Sequence, residues 1–314
     1  MVRFIVGRIG YAALVLFGVT TLVFALIHLS GDPLAGLVPP GSSPEQLARL
    51  RVAYGLDRPL PAQYVAFLGR AVRGDFGESW RQGRPALTVV LERLPATLAL
   101  AAAATALATL VGVGLGVAAG WRAGGGVDLT ARLLALAGQA IPGFWLGTIL
   151  IVVFAVRLHW LPSSGLDGPA SLVLPAATLA AFPAAALTRL VRAGLRDTRR
   201  ADWLRTARGK GLPEGAVLFG HALRNALLPA LAFVGVQAGY LLGGAVVIES
   251  VFAYPGIGLL ALNAVADRDL PIVEAFVAVV AVAIVAVEIG VEIVARLLDP
   301  RLRAETALMT GASA

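Results

Sequence analysis

A chain of 314 residues that is 58% hydrophobic and 14% charged, with a mean hydropathy of +0.82, holds more apolar side chains than a water-soluble core can enclose, so it belongs in a bilayer. The absence of cysteine excludes disulfides, thiolate nucleophiles and cysteine-ligated metal or iron–sulfur centres, and His28, His159 and His221 are too scattered for a paired-ligand metal motif. The net charge of +7 reads as a topology signal rather than a nucleic-acid patch, because the aromatics sit mostly in apolar runs and not among the arginines.

Residues 9–28 run for twenty positions without a full charge, enough to span and too long for the apolar region of a cleavable signal, so residues 1–29 read as a permanent N-terminal anchor. Residues 30–94 change character, with eight arginines, six acids and the turn clusters GDP, PPGSSP and RGDFG, and form an extramembrane region. Ser43 before Pro44, with Leu47, Leu50 and Tyr54 at helical spacing, predicts a short capped amphipathic helix there. Residues 61–72 predict a second. Both suit helices lying on the membrane face or packing over the spans.

A transmembrane core follows over 95–298, with a polar tail at 299–314. Its first span is 96–120, twenty-five uncharged residues rich in Ala, Gly and Leu. The GVGLG near its end is not a nucleotide loop, since no strand precedes it and no GxxxxGK[ST] occurs in the chain; small residues that let helices approach closely explain it better. The next span, 133–156, is interrupted by Gln139 and Pro142, which reads either as a tolerated kink or as a pathway-lining position. The spans at 168–188, with Pro175 and Pro183, and at 226–248, with Gln237 and the small-residue run LLGGA, follow. Residues 249–269 are expected to be a loop, and 271–294 the last span. There Glu288 and Glu292 share a face near the helix end, either as a functional pair or as snorkelling and structural acids.

Six spans put both termini on one side. Short segments on that side hold sixteen Lys and Arg against two on the other, Arg157 and Arg268, so the termini are expected in the cytoplasm. The most basic cytoplasmic segment is 189–229, which holds nine of the twenty-six Lys and Arg. Within it Trp203, Leu204, Ala207 and Leu212 fall near helical spacing between basic residues, and Gly211 sits where a helix would stop. Physics alone allows a helix lying in the headgroups or one docking on a cytoplasmic partner.

RADWLRTARGKGL followed by HALRNALLP resembles the cytoplasmic loop of the permease subunits of ATP-binding-cassette importers, in the branch for dipeptides, oligopeptides and nickel chelates. The generic form is Glu-Ala-Ala, three residues, then Gly; here Arg205-Thr206-Ala207 precede Gly211 in that spacing. The Glu and first Ala are absent and Leu228-Pro229 closes late, both as in the peptide and nickel branch. GLDRPLPAQY, GDFGES, IPGFWLG, HWLPSSG, VIESVFAYPGIG and LLDPRLR, in that order along the chain, are similar to the same branch.

The resemblance implies an all-α integral membrane protein of six transmembrane helices with the type I importer permease fold and a partly helical outer region. It implies that Asp202, Trp203, Leu204, Arg205, Thr206, Ala207, Arg208, Gly209, Lys210, Gly211 and Leu212 form a coupling helix and its end, seated in a groove of a separate ATPase. By resemblance Ala207 allows close backbone approach and Gly211 the turn. The implied partners are a second permease, often a different paralogue, two ATPase subunits or domains that hold ATP and Mg, an extracytoplasmic solute-binding protein, and lipid. No cofactor, metal, catalytic residue or nucleic acid is expected on this chain itself. Gln139, Gln237 and Tyr240 are the polar positions suited to line the pathway, with interhelical hydrogen bonding the alternative. Cargo stays open among dipeptides, longer peptides, glutathione and chelated nickel. An intramembrane enzyme would need a nucleophile, base and acid at matching depth, which the sequence does not offer. An autonomous secondary transporter would show internal repeats and midplane charges.

Overall fold

The structure is a computed structural model that describes residues 2–29, 43–53 and 56–298. Its helices in chain order are α1 (Val2–Leu29), α2 (Pro44–Ala53), α3 (Leu60–Ala71), α4 (Ala86–Trp121), α5 (Gly126–Ala140) and α6 (Gly143–Leu150), the last continued by a π-helical stretch, Ile151–Arg157. A short 3-10 turn, Pro169–Leu172, leads into α7 (Val173–Thr198). Then come α8 (Asp202–Gly209), α9 (Glu214–Ala216), a second π-helical stretch (Val217–Ala222), α10 (Leu223–Ala226), α11 (Leu228–Val251), α12 (Ile257–Ala266) and α13 (Leu270–Leu298).

Among the described residues four helices can, by length and composition, cross a membrane: Ala86–Trp121, Pro169–Thr198, Pro229–Val251 and Leu270–Val291. A fifth crossing arises if α5 and α6 count together. The first expected span lies inside α1, some of whose side chains are outside the described set, as are that of Glu292, residues 30–42 and the tail from 299 onward.

Three expectations need correction. The span expected at 133–156 is not one kinked helix but two, Gly126–Ala140 and Gly143–Arg157, meeting at 107°. The cause is local: Pro142 fixes its own φ at −60° and disfavours helical geometry in the residue before it, and Ile141 is extended at φ −82°, ψ 123°. The span expected to start at 96 belongs to a helix that starts at Ala86. Glu92, Arg93 and Pro95, which suggested a boundary, are exposed on it, and Glu92 pairs with Arg84, so these residues cost the helix little beyond one backbone hydrogen bond at the proline. Finally, 249–269 is not all loop: α11 runs on to Val251, and IGLLALNAVA folds as α12.

The chain divides into two compact units. In the first, Met1–Thr97 with Tyr254–Val285, the core joins Phe76, Ala86, Val89 and Val90 to Ile257, Ala264, Ile272, Ala275 and Val279. Asp269 is only 3% exposed there, yet its carboxylate accepts hydrogen bonds from the Ser79 hydroxyl and from the backbone N–H groups of Trp80 at 3.1 Å and Arg81 at 3.4 Å. A buried acid is tolerable on those terms. Ser43 caps α2 as the sequence led one to expect, its Oγ accepting from the N–H of Gln46 at 3.3 Å, and Gln46 returns the bond, its Oε1 accepting from the N–H of Ser43 at 3.2 Å.

The second unit, Leu98–Ala253 with the described part of 286–314, is built on α7, which packs against α5, α6, α10 and α11. Against α4 it comes closer still. A Cβ at Gly112, Gly116 or Gly120 would lie 2.7, 2.7 and 2.9 Å from the Cβ of Leu187, Val191 and Leu195 respectively. The glycines recur every four residues, so they line one face of α4, and the two backbones approach where no side chain fits. Gly114, between two of them, has nothing within 4 Å of its Cβ position.

Gly116→Ala is expected to destabilise the protein by about 1–3 kcal/mol by forcing α4 and α7 apart, while Gly114→Ala is neutral or slightly stabilising. Thermal unfolding of the two variants in the same detergent checks it; equal midpoints would exclude the close contact.

Candidate functional site

The basic segment folds as a short helix seated on the second unit's core. Thr198 ends α7, the three residues Arg199, Arg200 and Ala201 turn the chain, and α8 follows over Asp202–Gly209. Of the four apolar residues expected on one face, the structure divides two from two. Leu204 is fully buried and Ala207 is 8% exposed, both packed with Leu187, Val191, Leu195, Val217, Leu218 and Ala222. Trp203 is 42% exposed and Leu212 38%. Burying a leucine side chain contributes roughly 1.5–3 kcal/mol, so α8 is held by its own chain and is not a tethered arm. Ala207 therefore faces this core; the outward face presents Asp202, Trp203, Arg205 and Thr206, with Lys210 beyond the last turn, all exposed.

The helix stops by a recognisable device. The N–H of Leu212 bonds to the carbonyl of Ala207 at 3.4 Å and that of Gly211 to Arg208 at 2.9 Å, the two crossed bonds of a Schellman end. That end requires a left-handed residue, and Gly211 has φ +78° with open space around its Cβ position. Gly209 and Lys210 are the last helical residue and its cap. After Pro213, the α9 to α10 stretch carries the HALRNALLP motif, with His221 and Ala222 on its π-helical part, and Pro229 enters the first turn of α11, where its missing N–H is harmless.

Arg208 is bound to Glu214, Nε donating to Oε1 at 2.7 Å. That hydrogen bond holds the Glu214 carboxyl below the ordinary glutamate range, with the Arg208 charge and then Arg199 adding to it, and raises Arg208 in return. A depressed carboxylate contributes above its unfolded value and loses the contact as pH falls through its lowered one, so the pair persists at neutral and mildly acid pH. Being exposed, it adds little stability.

Between α5 and α7 lies an ion pair that spacing rules could not have linked, because its members are 64 residues apart. Asp128, 2% exposed at the start of α5, accepts from Nε and from Nη2 of Arg192 on α7, the latter at 2.9 Å, and from the N–H of Gly124 at 3.0 Å. Trp121, the last residue of α4, was likewise passed over in the sequence; its carbonyl accepts from Nη1 of Arg199 at 2.6 Å.

Among the expected pathway positions, Gln237 and Tyr240 of α11 line one open cleft of about 540 Å³ with Phe144, Phe182, Thr178 and Gly244. Tyr240 is 72% exposed and Gln237 half-buried. Gln139, on α5, is not among the residues lining it. The cleft wall is apolar with uncharged polar groups and holds no ionised side chain. Glu288 is exposed on α13; no group of three or more His, Asp or Glu suited to a metal occurs among the described residues.

A family described as the inner membrane component of binding-protein-dependent transport systems matches residues 110–304, and its N-terminal counterpart matches 1–101. The chain is similar to the di/tripeptide transport system permease protein of Pseudomonas aeruginosa, 38% identical, covering 96% of this chain and 99% of that one. It is similar at 38% and the same coverage to a peptide transport system permease protein described as putative in Brucella abortus, and at 36% to the oligopeptide transport system permease protein of Bacillus subtilis. Among solved structures, a chain of the inward-facing methionine ABC transporter MetNI matches with a TM-score of 0.53 at 16% identity, over 67% of this chain and 96% of that chain. A chain of an amino acid ABC transporter solved with histidines matches with the same score, over 67% and 94%. At that identity the likeness is one of fold.

Two outcomes test the local geometry. Gly211→Val is expected to cost about 1–2 kcal/mol at the end of α8 and Gly211→Asn less, since only backbone conformation is at stake; hydrogen exchange of the α8 amides reads the difference. Asp128→Asn strands Arg192 and is expected to lower stability by about 3 kcal/mol, seen as a drop in the thermal midpoint; an unchanged midpoint would show that the pair bears no load.

Proposed function

The chain belongs to the family of inner-membrane components of binding-protein-dependent transport systems, and we propose that it forms, with a second permease, the pathway of an ATP-driven peptide importer. It is a multi-pass permease of the inner membrane, with the fold of ABC-importer permeases, and it works as one component of an ABC transport complex without catalysis of its own. The observation that carries the cargo reading is similarity along almost the whole chain to permeases named for di/tripeptide and oligopeptide transport.

In this reading the type I arrangement of six spans is completed by α1 and by the broken pair α5 and α6. Both termini and the 189–229 segment lie in the cytoplasm, where the excess of Lys and Arg favours them. The outward face of α8, centred on Trp203 and Thr206, seats in a groove of an ATPase partner, of which the complex holds two subunits or domains, and ATP and Mg bind there. Leu204 and Ala207 fix that helix to the core, so displacement of the helix reaches the spans instead of being absorbed in a hinge. A solute-binding protein delivers cargo from the outer side. Gln237 and Tyr240 then line part of the path on an uncharged wall that suits peptides of varied sequence.

The test is to tag the chain in its native host, purify it in mild detergent and identify what accompanies it by mass spectrometry. A second permease, ATPase subunits and a binding protein carrying peptide are expected. Glutathione or a nickel chelate in the binding protein would change the cargo, and a chain recovered alone would overturn the reading. Trp203→Ala is expected to weaken ATPase retention by about 30-fold, the scale of a central aromatic contact of about 2 kcal/mol.

A further inference from the structure

We propose that Trp121 is the positioning residue through which displacement of α8 is delivered to α4, a step that rests on the reading of α8 as the ATPase contact. α8 is joined covalently to α7 on one side and to α9 on the other. α4 precedes both by a long stretch of chain, so movement of α8 reaches α4 only across space.

Trp121 occupies the place where that crossing happens. It is the last residue of α4, and its half-buried indole packs on the core cluster that contains Leu204 and Ala207 of α8. The guanidinium carbon of Arg199, at the end of α7, lies 5.4 Å from the indole centroid, and that of Arg208, in the last turn of α8, lies 5.8 Å from the same ring. Both distances are in the range of cation–π attraction, for which indole is the strongest of the aromatic side chains. Arg199 also donates to the Trp121 carbonyl at 2.6 Å, and Arg208 is aimed by Glu214 at 2.7 Å. Two like-charged guanidinium groups from two elements are thus held together by one shared ring and one carboxylate.

Directly above, Gly112, Gly116 and Gly120 interlock α4 with α7 at backbone contact. A push on α8 that enters at Trp121 meets two helices that cannot slide independently, and they move together. Arg208 would have to let go of the ring for α8 to shift alone.

The experiment uses the whole complex from its native host in lipid nanodiscs, with the binding protein purified carrying its natural cargo, and measures MgATP hydrolysis with and without that protein. Trp121→Ala is expected to keep the ATPase subunits and a basal rate within about twofold, while stimulation by the binding protein falls at least about tenfold. Trp121→Phe keeps an aromatic face for both cations and is expected to recover stimulation to within about threefold, while Trp121→Leu, which keeps apolar bulk without a ring, is expected to stay near the Ala level. Stimulation of Trp121→Ala at the unaltered level overturns the proposal. So does a Phe variant no better than Ala, or loss of the ATPase subunits from Trp121→Ala, which would make the residue merely a prop for α8. The premise fails separately: if Trp203→Ala retains ATPase subunits at full strength, the α8 contact is wrong and this step falls with it.

Discussion

The second unit depends on the contact of α4 with α7. Three glycines at four-residue spacing bring the two backbones to a distance at which a single added carbon would collide with Leu187, Val191 or Leu195. In a bilayer, where lipid tails are as apolar as leucine, such close packing is what holds helices together. The contact also sets a register: it ends at Gly120, which places Trp121 beside Arg199 and puts the last turns of α4 and α7 where α8 is received.

From that register the cytoplasmic segment follows. α8 is eight residues long, too short to be stable on its own in water. It persists because Leu204 and Ala207 are buried among residues of α7 and of the π-helical stretch after α9, and because Gly211 closes its end with the crossed backbone bonds that glycine permits. The same burial fixes one face of the helix to the core and leaves Trp203, Arg205 and Thr206 exposed on the other. The ion pair of Asp128 with Arg192 ties the start of α5 to the same region of α7.

The broken pair α5 and α6 shows a different economy of means. One proline, by excluding helical geometry at Ile141, turns a stretch long enough for one span into two helices at 107°. The turn brings Gly143 and Phe144 to the cleft that Gln237 and Tyr240 also line, and leaves Gln139 outside that lining.

Read alone, the sequence determined the membrane class, the helical character, the positions of most apolar helices, the cap at Ser43, the close approach allowed by two of the GVGLG glycines, the helix in the basic segment and its stop at Gly211. Each of these is encoded by composition, period or a single residue with restricted geometry, and such signals act over one or two helical turns. The sequence set the start of α4 ten residues late, because charges and a proline look like a boundary until one knows that they face outward, and it missed α12, whose ten residues are too few to stand out as a span. It grouped Trp203 and Leu212 with Leu204 and Ala207, since an eight-residue helix offers too few turns for the period to fix a face. Only the tertiary structure decided which two of them are buried, that Asp128 meets Arg192, and that one indole receives two arginines. Those contacts join residues 64 or more positions apart, and no local rule of spacing reaches so far.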